Sequence, residues 1–176
     1  MKKTARVALL CLLAVSWGCG TNPDRADPAE TSEASSVKDV ISTLYACLSF
    51  PAGGGPDLDR YASLFAPEAR SVRVNKDDSI DRFTLDGFVA AYKARIAKGE
   101  ITSLRESEIA AKIQVFGRLA HVFSSYTKLV NTLDPKAAVR GVNGFQLIKQ
   151  GEAWKICAVI WMDERATMVI SAKYLD

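Results

Sequence analysis

The chain has 176 residues, 48% of them apolar, a size and composition typical of one globular domain with a substantial core. Its formal net charge of +3 comes from Lys2, Lys3 and Arg6, and the remaining residues carry 20 basic and 20 acidic side chains. A neutral domain has no electrostatic attraction for nucleic acid and no polybasic patch for a membrane surface, so we expect neither partner.

Residues 1–18 have the pattern of an export signal. A basic start is followed by a short apolar run, Val7–Val15, which cannot span a bilayer as a helix. The small residue before Cys19 resembles the bacterial lipobox, which implies cleavage there and a diacylglycerol anchor on Cys19. No Asp follows Cys19, so the resemblance implies the periplasmic face of the outer membrane of a Gram-negative cell, with the lipid as the only membrane contact. The alternative is cleavage after Gly20, which releases a soluble periplasmic protein.

The stretch after the signal predicts a tether. Residues 20–36 contain no large apolar side chain, so this segment cannot bury enough surface to offset its ordering entropy. We therefore predict a disordered tether over residues 19–36 and one folded domain over residues 37–176, with Ser36 capping the first helix.

The periodicity of the apolar residues predicts helices first and strands afterwards. The predicted helices run from Val37 to Leu48, from Leu58 to Phe65 (capped by Asp57) and from Leu85 to Lys98 (capped by Thr84), with a strand at Ala69–Val74 and a loop at 75–81 between the last two. After Gly99 the period becomes two, which predicts strands at Ser103–Val115, Leu119–Val130, Val139–Lys149 and Ala153–Met162.

The last predicted strand is apolar on both faces, so both sides of the sheet must be covered. This favours an α+β fold in which three N-terminal helices pack on a strongly curved antiparallel sheet, forming a cone with an open mouth. Trp154 and Trp161 are seven residues apart and are predicted to face opposite sides of their strand. One face would line the cone, and the other would meet a second layer.

Several segments carry a resemblance to a known family. They are L-F-A-P-E-A at 64–69, E-S-E-I at 106–109, F-G-R-L-A-H-V-F-S-S-Y at 116–126, R-G-V-N-G-F-Q-L at 140–147 and I-S-A-K-Y-L at 170–175. Together with the order of elements, they resemble bacterial members of the nuclear-transport-factor-2-like superfamily (the SnoaL-like, cystatin-like α+β roll), which includes polyketide cyclases and ketosteroid isomerases. The resemblance implies the cone fold from about Val37 onward and a homodimer formed through the convex sheet face.

The residues offer little metal or cofactor chemistry. Only one histidine and two domain cysteines, Cys47 and Cys157, are present, too few for a zinc cluster, and no phosphate-binding glycine loop occurs. We expect no metal and no cofactor. Export to an oxidising compartment would permit a disulfide between Cys47 and Cys157, and two separate thiols are the alternative.

His121 and Asp163 are the catalytic candidates. His121 is the one histidine of the chain, a residue type that often serves as a general acid or base, and Asp163 ends the last strand. A hairpin turn at Gly117 places Gln114 opposite His121, so Glu108 would lie about 20 Å farther along the strand, too far to form a pair with it. In the structural reading His121 is a polar residue at a strand start.

The remaining candidates line the predicted cone or its rim. Tyr61, Tyr92, Asn143, Phe145 and Trp161 are the predicted ligand-binding residues. Asn143 either contacts a ligand or satisfies a neighbouring backbone group. Arg140 points to the opposite face from Asn143 and is expected to pair with Glu108 or Glu164.

Three functions follow. The first is an exported domain that binds a small apolar ligand. The second is an isomerase, cyclase or dehydratase that works by proton transfer. The third is a dimeric scaffold with a filled cone. The fold permits all three, because one fold hosts many functions.

Overall fold

A computed structural model describes residues 28–176, in which three helices cover one face of a six-stranded sheet. The predicted export signal and Cys19 lie outside these residues. The elements are α1 (Pro28–Leu48), α2 (Leu58–Ser63), β1 (Phe65–Val74), β2 (Ile80–Thr84), α3 (Leu85–Ala97), β3 (Leu104–Phe116), β4 (Leu119–Val130), β5 (Val139–Gln150) and β6 (Ala153–Asp163). Short 3₁₀ turns occur at Pro135–Ala137 and Ala172–Tyr174. No helix in the described part of the chain is long and apolar enough to cross a bilayer.

The α+β class is confirmed, and the sheet is mixed rather than wholly antiparallel. The strand order is β2-β1-β6-β5-β4-β3. The meander from β3 to β6 is antiparallel, whereas β1 pairs with β6 in parallel. Strand β2 was not predicted, and the predicted loop at 75–81 overlaps its start at Ile80. That strand lies at the sheet edge and its side chains are exposed or half-buried, so it lacks an apolar period.

The first helix begins earlier than predicted. It starts at Pro28, not after Ser36, so the predicted tether is wrong over residues 28–36. The cause is a tertiary contact near the β5–β6 turn. Glu33 accepts a hydrogen bond from the Trp154 indole at 2.8 Å and another from the Lys149 ammonium. These contacts help to offset the entropy of ordering a polar segment, which composition alone cannot reveal.

Two bulges bend the antiparallel meander. The register shifts in β3 between Glu108 and Ala110, and Cys157 in β6 has no partner opposite it on β5. An extra residue in one strand increases its bend and twist. It also reverses the alternation of side chains, so Trp154, buried near the start of β6, and Trp161, near its end, both pack with the core. The prediction that the two tryptophans face opposite sides is therefore wrong.

The core lies between α1 and the concave face of the sheet. Helix α1 contributes the buried residues Val37, Ile41, Leu44, Tyr45 and Leu48, which cluster with Val122, Tyr126, Phe145, Leu147 and Ile156 of the strands. Cys47 is buried on α1, and Cys157 is half-buried at the β6 bulge. Both are free thiols, so the disulfide alternative is not realised in this structure.

The convex face is partly covered by the last residues of the chain. After β6 the chain returns across the sheet, where the Ser125 hydroxyl donates to the Tyr174 carbonyl at 2.5 Å. The rings of Phe123 and Tyr174 stack with centroids 5.0 Å apart. Between the sheet and this segment runs an apolar groove of about 540 Å³, on which Ile160 is 53% exposed.

Candidate functional site

The mouth of the cone contains a cavity of about 300 Å³. Its wall comes from all three helices and from the concave faces of β1 and of β3 to β6. The apolar and aromatic members are Leu44, Leu48, Tyr61, Phe88, Tyr92, Ile101, Leu104, Tyr126, Val130, Val139, Phe145, Val159 and Trp161. The polar members are Arg73, Arg95, Glu106, Lys128, Asn143 and Asp163. A largely apolar cavity with a few polar groups is the usual form of a small-molecule site.

Asp163, at the end of β6, is the centre of a polar cluster. The Tyr126 hydroxyl and the Lys128 ammonium each donate to its Oδ1 atom at 2.5 Å. The Lys128 and Asp163 side chains are only 18% and 12% exposed. Burial alone would raise the pKa of Asp163, but the charge of Lys128 and the two hydrogen bonds together lower it. Asp163 is therefore an ionised acceptor, not a poised base.

Glu106 has the opposite environment. It lies on β3 two residues after buried Leu104 and faces the cavity. Its carboxyl group makes no hydrogen bond or ion pair within residues 28–176. Burial raises the pKa of Glu106 to about 7, with Lys128 opposing and Asp163 adding to the shift. A carboxyl group with a pKa near neutral can both accept and donate a proton under physiological conditions.

Tyr92, on α3, brings an unsatisfied hydroxyl to the same cavity. The residue is 8% exposed, and its hydroxyl is buried with no hydrogen-bond partner in the described part of the chain. Burial raises the pKa of Tyr92, and the nearby charge of Glu106 adds to the shift, so the group stays a neutral donor. Buried polar groups are nearly always paired, so an unpaired one in a cavity wall indicates a place for a ligand or water.

Asn143 belongs to a second, fully connected network. Its amide donates to the Tyr45 hydroxyl at 2.9 Å, and that hydroxyl lies 2.8 Å from the Ser124 hydroxyl. Ser124 in turn donates to the Glu108 carboxylate at 2.8 Å. The partner of Asn143 is thus a phenol and not a backbone group. The network fixes the amide in the cavity wall beside Phe145.

No family sequence model and no curated protein sequence matches this chain. Solved structures do. An NTF2-like protein of unknown function from Pseudomonas putida has a TM-score of 0.61 and 12% identity, over 80% of this chain and 94% of its own. A hexachlorocyclohexane dehydrochlorinase from Novosphingobium barchaimii has a TM-score of 0.61 and 8% identity, over 77% and 88%. A putative dehydratase of the NTF2-like family from Streptomyces avermitilis has a TM-score of 0.59 and 13% identity, over 77% and 99%.

The chain has the nuclear-transport-factor-2-like fold. At these low identities the likeness establishes the fold and not the activity.

This nuclear-transport-factor-2-like cone brings most of the predicted site residues together. All five predicted ligand-binding residues lie in the cavity wall: Tyr61, Tyr92, Asn143, Phe145 and Trp161. Asp163 lies there too. His121 does not, because it is exposed on the convex side, directly opposite Gln114 as the hairpin predicted. The two catalytic candidates, His121 and Asp163, are therefore on different faces of the sheet. Arg140 forms the expected rim pair with Glu164, at 2.8 and 2.9 Å.

Three charged residues of the cavity wall were not predicted from the sequence: Glu106, Arg73 and Lys128. The available signal was strand alternation. Glu106 shares a strand face with Leu104, and Arg73 shares one with Ala69, so each is a charged residue at an inward position. Such a residue requires a partner or a function.

Proposed function

We propose that this protein is an exported domain that binds a small, largely apolar molecule inside its cone. The cavity of about 300 Å³, with its aromatic and aliphatic wall, is the observation that carries the proposal. An apolar protein cavity of about 150 Å³ holds benzene, so this one suits a molecule of roughly two fused rings. The unpaired polar groups in the wall would orient that molecule, as in other ligand sites.

The proposal includes a location and an assembly. The pattern of residues 1–18 and the small residue before Cys19 support export and lipid anchoring at the outer membrane of a Gram-negative cell, with soluble periplasmic protein as the alternative. The exposed apolar side chains of Ile160, Met168 and Val169 beside the convex groove support a homodimer through that face.

Native mass spectrometry of the full chain purified from a Gram-negative envelope tests the binding proposal. We expect a bound small molecule on the wild type and none on Val159→Phe, because the larger side chain fills the cavity that buried Val159 lines. The matched control is Ile160→Phe, one residue along on the exposed face. It should retain the ligand. The same spectra test the lipid anchor. We expect the wild type to carry the extra mass of a lipid and Cys19→Ser to lack it. Equal occupancy in the wild type and Val159→Phe, with both folded, would rule out the cone as the site.

Glu106 favours a second candidate, an enzyme that transfers a proton within the cavity. Its carboxyl group faces the cavity, has no hydrogen bond or ion pair with any residue that the structure describes, and has a pKa of about 7. A carboxylate base of this kind can remove a proton from a carbon atom or hydroxyl group of a bound molecule and return the proton to another atom of the same molecule. Positioned general bases contribute about 10²- to 10⁴-fold to rate. A putative dehydratase and a dehydrochlorinase share the fold.

Glu106→Gln tests the protonation behaviour on which this candidate depends. Folding raises the pKa of Glu106 from an ordinary 4.5 to about 7, so the folded state binds the proton more tightly than the unfolded state. The resulting stability is complete below pH 4.5 and is lost as the pH rises to about 7. We expect the wild type to lose up to about 1.4 kcal/mol per pH unit in that window.

Chemical denaturation from pH 4 to 8 measures this loss. Relative to the wild type, Glu106→Gln should show a flatter profile and gain stability at pH 8, whereas Glu68→Gln, on an exposed position of β1, should follow the wild type. For activity, the copurified ligand is incubated in heavy water. Deuterium uptake by the ligand that depends on Glu106 identifies an enzyme. If the ligand binds but takes up no deuterium, the protein acts as a binding domain without this activity.

A further inference from the structure

Of the three cations in the cavity wall, Arg73 has no direct partner among the residues that the structure describes. Arg73 lies on β1 beside Trp161 of β6, and it shares the inward face of β1 with Ala69 and Ser71, both buried. Within residues 28–176 its guanidinium makes no hydrogen bond and no ion pair. The other two cations in the wall are paired: Lys128 with Asp163 at 2.5 Å and Arg95 with Glu100 at 3.2 Å.

This arrangement leaves one positive charge in the cavity without a counter-ion. Each of the two ion pairs is neutral as a unit, and Glu106 is neutral whenever it holds its proton. Arg73 then contributes one uncompensated positive charge, although Asp163 is close enough to be influenced by it. A guanidinium presents several N–H donors in a plane, which match a carboxylate in a two-bond geometry. The cavity therefore suits a molecule with a single negative charge.

Tyr92 supplies an independent second donor. Its hydroxyl is buried, neutral and without a partner in the described part of the chain, so it needs an acceptor. Its ring stacks near Phe88, with centroids 5.9 Å apart, and Phe88 meets Trp161 edge-on at 6.0 Å. This aromatic series connects Tyr92 to the strand position beside Arg73. These rings offer apolar contact surface to an aromatic ligand body.

We propose that the cone takes an apolar monocarboxylate, with Arg73 as the counter-ion of its carboxylate and the Tyr92 hydroxyl as a second donor in the same cavity. The inference rests on the proposed function, that the cone binds a small apolar molecule, and it specifies that molecule's charge and class. A phosphate ester fits less well, because a dianion would need more unpaired donors than Arg73 and Tyr92 provide.

A pair of probes that differ only in charge tests the inference. Isothermal titration calorimetry compares 2-naphthoate with 2-naphthamide, which have the same rings. We expect wild-type protein to bind the naphthoate at least about tenfold more tightly at pH 6. Arg73→Gln should weaken naphthoate binding about tenfold to a hundredfold and leave naphthamide binding unchanged, as expected for the loss of a charged hydrogen bond.

Three further variants make the result specific. Arg82→Gln is the matched control, since Arg82 is exposed on the neighbouring strand opposite Val72, and it should bind both probes as the wild type does. Tyr92→Phe should weaken naphthoate binding severalfold without lowering the melting temperature, because the hydroxyl has no hydrogen-bond partner among the described residues. Val159→Phe should abolish both, which locates the probes in the cone.

The outcomes separate this inference from the proposed function. Equal binding of both probes, or tighter binding of the naphthamide, overturns the carboxylate assignment and leaves the apolar cavity standing. Failure of both probes also overturns the assignment. If native spectra then show a cone occupied by another molecule, the proposed function survives, and if they show an empty cone, it falls as well. Retained preference for naphthoate in Arg73→Gln would likewise contradict the role of Arg73.

Discussion

Asp163→Asn lowers the free energy of unfolding by about 3 to 5 kcal/mol, because it leaves the Lys128 ammonium in the cone wall without its counter-charge. Both side chains are largely buried, and Lys128 Nζ lies 2.5 Å from Asp163 Oδ1. The Tyr126 hydroxyl loses its ionised acceptor at the same time. An exposed ion pair would contribute far less, since water and salt screen it.

Urea unfolding at pH 7 measures this loss of stability. Two further variants show whether it comes from the buried ion pair. Glu100→Gln disrupts the exposed pair with Arg95 and should cost no more than about 1 kcal/mol. Lys128→Met combined with Asp163→Asn removes both charges, and the double variant should be more stable than Asp163→Asn alone. A loss below about 1 kcal/mol in Asp163→Asn would show that the pair is solvated.

The same cluster predicts the direction of acid sensitivity. The folded-state pKa of Asp163 is lower than its ordinary value of 3.8, so the carboxylate contributes stability above that value and loses it as the pH falls through the folded pKa. Glu106 acts in the opposite direction at higher pH. The two carboxyl groups of one cavity therefore affect stability in separate pH windows.

Gly141→Ala is expected to destabilise the protein by about 3 to 6 kcal/mol or to prevent folding. A Cβ atom at this position would lie 2.3 Å from the Tyr126 hydroxyl and 2.6 Å from the Met162 carbonyl oxygen, both far inside contact distance. Tyr126 cannot move away without losing its hydrogen bond to Asp163. Overpacking and the loss of a hydrogen bond to a charged group therefore add together.

Gly144→Ala is the matched control, three residues along the same strand. Its Cβ would meet the nearest atom, in the ring of Phe123, at 3.7 Å, an ordinary contact. Because glycine weakens a strand relative to alanine, this variant should be unchanged or more stable by up to about 1 kcal/mol. Circular dichroism melts of the two variants give the comparison. Similar melting temperatures would mean that Tyr126 does not occupy the place described.

Periodicity predicted the parts of the fold whose residues follow a regular pattern. The helical spacing and the Thr84 cap located α3, and the Thr84 hydroxyl does accept from Gly87 N–H at 3.1 Å. Alternation located all four strands of the meander to within about two residues. The prediction of side-chain direction failed where a bulge interrupts the alternation of a strand. The bulge at Cys157 brings Trp154 and Trp161 to the same face of the strand, and nothing in the local sequence marks that extra residue.

Tertiary contacts decided the rest. Residues 28–36 look too polar to fold, yet Glu33 holds that end of α1 against Trp154. In the site, the aromatic residues were predicted as members of the cone lining. Glu106 and Arg73 were not, since a charged residue in an alternating strand ordinarily indicates the exposed face. Their inward direction becomes informative only when the register with neighbouring strands is known.

The contact between Glu33 and the β5–β6 turn also fixes the direction in which the chain enters the domain. Lys149 and Trp154 lie at one end of these two strands, whereas Asn143 and Asp163 of the cavity lie toward the other. A strand of eleven residues is about 35 Å long, so the helix start and the mouth are on opposite ends of the molecule. Small molecules would therefore enter the cavity at the end of the domain that lies farthest from the start of α1.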